Sequence, residues 1–173
     1  MLKELPAFEF GIARILDCGF SIEEAHNPED GLQIGYGMSF LFDPTNSWIQ
    51  FNIRVDFTTQ KTSALAVTGT VMTRFSVNSL SDFLDENNIV NFPEGAVESL
   101  FGIAYSHLRA ILAKNLSGSR FNDLYVPVAN PNELFHSLFQ ANVERAKSKL
   151  PGNGPIPQFE IINSSKKIDS KKK

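Results

Sequence analysis

Few residues in this chain are of a type that does chemistry, and their spacing does not assemble a reaction centre. There are three histidines, His26, His107 and His136, and one cysteine, Cys18. A metal or general-base site on a helix needs a second ligand about one turn away. Neither helical histidine has one three or four places further on, and the residue four places after His136 is Gln140. Cys18 falls in an alternating apolar stretch, where a buried, inert thiol is expected rather than a nucleophile. The pairs Glu23-Glu24 and Asp85-Glu86 read as solvated loop charges, and no glycine-rich phosphate loop is present. The sequence predicts no catalytic residue, no metal and no cofactor. Its resource is grease: 15 phenylalanines against 3 tyrosines and 1 tryptophan. Exposable apolar surface of that kind suits the binding of apolar partners.

The elements that carry those residues follow from the period of the apolar side chains around them. Val97, Leu100, Phe101, Ala104, Leu108, Ile111 and Leu112 form one helical stripe within a helix expected over 94–116. Away from the stripe lie Ser99, Gly102, Ser106, Ala110 and Ala113, all small. Small residues let a second backbone approach closely. They imply a helix sandwiched between its own sheet and another element, either a copy in another subunit or a second helix of the same chain. That second helix starts at Asn130-Pro131-Asn132-Glu133, with a capping residue, proline at the first position and a glutamate three after the cap. Leu134, Phe135, Leu138, Phe139, Val143 and Ala146 give it an apolar stripe ending at Leu150.

Four strands precede the helices. Phe8, Phe10, Ile12, Leu16, Cys18, Phe20 and Ile22 alternate with mostly polar or small residues, while Arg14 and Ile15 exchange polarities midway. The first strand is therefore expected to be long and kinked, with Gly11 and Gly19 as places to bend. The second (Leu32 to Phe42) and third (Ile49 to Phe57) alternate cleanly around the turn Asp43-Pro44-Thr45-Asn46, and a fourth runs from Leu65 to Val77. Short loops make strands two to four antiparallel neighbours. The expected class is α+β: a four-stranded antiparallel sheet followed by two helices packed on one face.

Length allows one domain, residues 1–150, large enough to bury about 70% of its unfolded surface. From Pro151 onward Pro, Gly, Asn, Ser and Lys dominate, which predicts a disordered basic tail over 151–173. Five lysines and one aspartate among the last ten residues leave 11 basic and 18 acidic groups elsewhere, a net of about −7. An acidic body does not have the footprint of a nucleic-acid binder. No run approaches the ~20 apolar residues of a membrane span and no signal pattern opens the chain, so a cytoplasmic protein is expected.

Several segments together resemble the SecB family of export chaperones, over roughly residues 8 to 140. They are Phe10-Gly11-Ile12-Ala13-Arg14-Ile15 closing on Phe20-Ser21-Ile22-Glu23, then Phe101-Gly102-Ile103-Ala104-Tyr105 with Arg109, and finally Phe121, Leu124, Val126-Pro127-Val128-Ala129-Asn130 and Leu134-Phe135. The resemblance implies ATP-independent holding of unfolded polypeptide clients by a homotetramer, a dimer of dimers, with first strands paired across one interface and long helices sandwiched at another. It implies a client groove, placed here at Phe40, Trp48, Tyr125, Phe135 and Phe139, of which Phe135 and Phe139 could equally be core. It implies a partner, either a SecA-type motor docking at Glu23 or an antitoxin. Gly19, Ala66 and Thr68 stand where the family's other acidic docking residues would be, and the tail is basic where the family's is acidic. Two further classes remain open on the residues alone: a small-molecule or lipid binder, and a purely structural interaction protein.

Overall fold

The computed structural model describes residues 7–26, 31–85 and 90–149; side chains are described as far as residue 141. The elements run β1 (Phe10–Ile22), β2 (Leu32–Asp43), β3 (Trp48–Thr59), β4 (Leu65–Val77), a short 3-10 turn (Leu80–Phe83), α1 (Ala96–Leu116) and α2 (Pro131–Lys149). The strands form one antiparallel sheet in the order β1-β4-β3-β2, the α+β arrangement that the periodicities predict. The tail expected over 151–173 lies outside the described residues.

One sheet face meets the helices. Ile49, Phe51, Ile53, Val55 and Phe57 of β3 and Val67, Val71 and Phe75 of β4 are buried there, under Leu100, Phe101, Ala104, Leu108 and Leu112 of α1. Gly69 makes the approach possible, because a Cβ at that position would stand 2.9 Å from Leu112 Cδ1. α1 is entered through Gly95, whose φ of 74° is left-handed and therefore suits glycine. α2 is capped as expected: Asn130 Oδ1 accepts from the Asn132 backbone N–H (3.1 Å) and Asn130 Nδ2 donates to Glu133 (3.1 Å).

β1 departs from the simple alternation. Its register against β4 slips between Ile12 and Arg14 and again between Asp17 and Gly19, so Ala13 and Cys18 are the extra residues of two bulges. Each bulge shifts the phase by one. Phe10, Ile12, Ile15, Asp17, Phe20 and Ile22 consequently share the helix-side face, and Leu16 turns to the other. The expected buried thiol is thereby corrected: Cys18 is exposed at a bulge. The bends fall beside Gly11 and Gly19, not on them.

The small-residue face of α1 is also resolved in part. Gly102 faces the start of α2, with Pro131 Cβ 3.3 Å from where its own Cβ would lie, so the second helix of the same chain accounts for that glycine. Ser99, Ser106, Ala110 and Ala113 are exposed, and both serine hydroxyls donate to carbonyls one turn back, at Gly95 and Gly102.

Candidate functional site

The residues placed in a client groove do not form one surface. Trp48 pairs with Ser76 and Asp43 in a register whose helix-side positions are odd-numbered on β3, so its ring stands on the opposite face of the sheet. Phe135 is core, at 2% exposure, packed on Phe51 (6.4 Å between centroids) and Phe101 (5.5 Å). Phe40 and Phe139 are half-buried, Phe40 lying 5.1 Å from Phe51 and Phe139 stacked 5.8 Å from Phe135. Buried rings thus connect the β2 flank to α2 beneath a half-buried apolar surface. Phe42 and Phe92 extend it, with centroids 6.3 Å apart. Phe92 was not singled out from the sequence, because it lies in a connection with no period to mark it.

The segment between the helices runs back along α1 to the start of α2. Phe121 and Val126 anchor it in the core, whereas Tyr125 and Val128 project at 73% and 81% exposure. Its path is fixed by α1: Tyr105 Oη donates to the Pro127 carbonyl (2.8 Å) and Arg109 Nε donates to the Val126 carbonyl (3.1 Å). Tyr36 of β2 joins through a 3.1 Å hydroxyl–hydroxyl contact with Tyr105, and burial pushes its phenol well above the ordinary tyrosine range.

The polar candidates are spoken for. His107 Nδ1 lies 3.1 Å from the Thr73 hydroxyl between α1 and the sheet, and burial pushes its imidazole below the usual range. His136 Nε2 is 3.4 Å from Glu98 Oε1, tying α2 to a buried carboxylate on α1. Glu23 closes β1 by donating its backbone N–H to Ala66 (2.8 Å), with Oε1 accepting from the Ala25 N–H (3.3 Å). Among the described residues no group of three His, Cys, Asp or Glu side chains is arranged to hold a metal ion. No helix among them is long and apolar enough to cross a membrane.

A solved structure shares this architecture. The Mycobacterium tuberculosis Rv1957 SecB-like chaperone, in complex with a ChAD peptide from the Rv1956 HigA1 antitoxin, matches with a TM-score of 0.50 at 14% identity, over 69% of this chain and 89% of that one. The fold is SecB-like. At this identity the likeness speaks for the fold alone. A protein of unknown function from Streptococcus agalactiae matches with a TM-score of 0.37 at 10% identity, over 72% of this chain and 99% of that one, and no argument rests on it. No protein-family model and no curated protein matches the chain by sequence. Within the SecB-like fold, the apolar surface lies where β2 and α2 meet over Phe51.

Proposed function

We propose that this protein is an ATP-independent holdase that binds unfolded polypeptide segments on the apolar surface beside β2. The observation that carries the reading is the half-buried aromatic surface of Phe40, Phe42, Phe92 and Phe139 next to β2, the strand that borders the sheet among the described residues. A client segment laid there could bury side chains against the rings and offer its backbone to the edge of β2. Burying some hundreds of Å² at ~25 cal/mol per Å² is worth several kcal/mol before ordering costs, enough for reversible capture. Tyr125 and Val128, exposed on the interhelical segment, offer further apolar area to a longer client. Trp48 has no part in this surface.

A homo-oligomer, a tetramer by family resemblance, is proposed with it. β1 is exposed from Phe10 to Gly19, and several grooves on one particle would add avidity. The client could be an export substrate passed to a SecA-type motor through Glu23, or an antitoxin; the same surface serves either.

The test is aggregation of a chemically unfolded client, followed by light scattering without nucleotide. Protection is expected at about one oligomer per client. Phe139→Asp should abolish it while particle mass holds and Tm falls by no more than several degrees, the cost of about 1–2 kcal/mol for a half-buried ring. Absence of protection by the unaltered protein would refute the holdase reading.

A further inference from the structure

The sheet face turned away from the helices carries a second surface of different chemistry. Its rows run across the four strands as Arg14–Arg74–Gln50–Leu41 and Leu16–Met72–Asn52–Ser39, with Trp48 in the adjoining row. Arg14 and Arg74 are therefore direct cross-strand partners, an arrangement of like charges that costs stability unless something compensates. What surrounds Arg74 is mostly neutral. Its Nε and Nη2 donate to Gln50 Oε1 at 2.9 and 2.7 Å, and its guanidinium lies 4.4 Å from the centroid of the Trp48 ring. Gln50 is fixed in turn by Asn52, and Asn52 by Ser39. Arg14 is exposed and makes no ion pair or hydrogen bond among the described residues.

Two carboxylates of this face have partners of their own. Asp56 pairs with Arg54 (2.9 Å) and accepts from Thr68; Asp43 accepts from Asn46, and these bonds hold its carboxyl below the usual range, with Arg74 a lesser cause. Two guanidinium groups, one preset by a polar network and one free, thus stand side by side on a body whose net charge is negative. Apolar side chains flank them, with Leu16 at 40% and Leu41 at 46% exposure.

We infer that this face docks an acidic polypeptide segment, whose carboxylates meet Arg14 and Arg74 and whose apolar side chains cover Trp48, Leu16 and Leu41. Charge complementarity fixes the sign of the partner. The flanking leucines favour a peptide over a nucleic acid, and a long polyanion would also meet the acidic remainder of the body. Side chains on this face stand perpendicular to the sheet, so pairing of β1 with another chain leaves them accessible. The inference does not depend on the apolar surface on the other side of the sheet.

Trp48 is the sole tryptophan, so intrinsic fluorescence of the full chain reports on this face. A fluorescein-labelled peptide of repeated Glu-Glu-Leu units should bind by anisotropy, its unlabelled form should shift Trp48 emission, and both effects should weaken with salt. Arg14→Gln should weaken binding about tenfold, the loss of one charge-assisted contact. Arg54→Gln removes the same charge from the same face, yet should leave binding unchanged because Asp56 already neutralises that group. Equal losses in both variants would reduce the effect to net charge and overturn the inference. So would equal binding of a Lys-Lys-Leu peptide. A Trp48 response to inorganic phosphate or single-stranded DNA at lower concentrations than to the acidic peptide would also overturn it.

Discussion

β1 and β2 both border the sheet, yet they meet solvent differently. β2 runs twelve residues in unbroken register with β3, and its helix-side row, from Ile34 to Phe42, is half-buried or buried beneath neighbouring elements. β1 is broken by two bulges and exposes Phe10, Ile12, Ile15 and Leu16, each at 40% or more. An uncovered apolar edge is ordinarily a liability that proteins blunt. The difference separates two kinds of association. β2 carries enough intrachain cover to be stable alone and leaves a shallow surface for weak, exchangeable contacts. β1 is exposed from Phe10 to Gly19, with only Phe20 and Ile22 packed against the core, which suits a permanent partner.

Four measurements can break or sharpen that contrast. The largest effect belongs to the foundation of the β2 side: Phe135→Ala should cost about 3–5 kcal/mol in urea unfolding, as a fully buried ring does, whereas Phe139→Ala should cost only about 1 kcal/mol. Similar costs for the two would mean that Phe139 is core and would undo the β2 surface. On the other edge, Ile12→Asp combined with Ile15→Asp should lower the particle mass seen by light scattering with little change in far-ultraviolet circular dichroism. An unchanged mass would show that β1 is not an association edge.

Between the edges, Gly69→Ala should destabilise by about 1–3 kcal/mol, because its methyl must displace Leu112 from contact with the sheet. A neutral result would show that α1 is free to lift, and that the two edges are less rigidly linked than the packing implies. The smallest effect is electrostatic. With its pKa below the unfolded value of about 6.5, His107 binds fewer protons in the folded state than in the unfolded one. Its contribution is complete above about pH 6.5 and is lost as pH falls from there toward the depressed value. His107→Gln should remove that part of the acid loss, seen as a Tm difference between variant and parent that changes between about pH 7.5 and about pH 5. A constant difference would exclude the imidazole as its source.

The strands and helices were legible where period ran unbroken. β2, β3 and both helices follow their stripes, and the Asn130-Pro131 start of α2 lies where its capping residues place it. β1 was harder. A phase change at Arg14-Ile15 is visible, but alternation alone cannot tell a bulge from a polar substitution, so Leu16 and Cys18 were assigned to the wrong side. Trp48 is a different failure. Its parity against Ile49 and Phe51 already puts it on the far face, and grouping it with Phe40 ignored a signal that was present. Phe92 carried none. Nor did the Arg14–Arg74 pairing, because the first bulge sets which residues of β1 and β4 stand opposite each other.

Those bulges have one more consequence, which is a matter of symmetry. Ala13 and Cys18 lie equally far from the midpoint between Ile15 and Leu16, so β1 is close to a palindrome of its own irregularities. Residues opposed in an antiparallel pair share a face, whereas Ile15 faces the helices and Leu16 faces away, so a second copy cannot centre on that midpoint. It must centre on a single residue instead, which leaves each bulge one position out of step with its counterpart. The kinks thus restrict the registers open to a second strand on this edge.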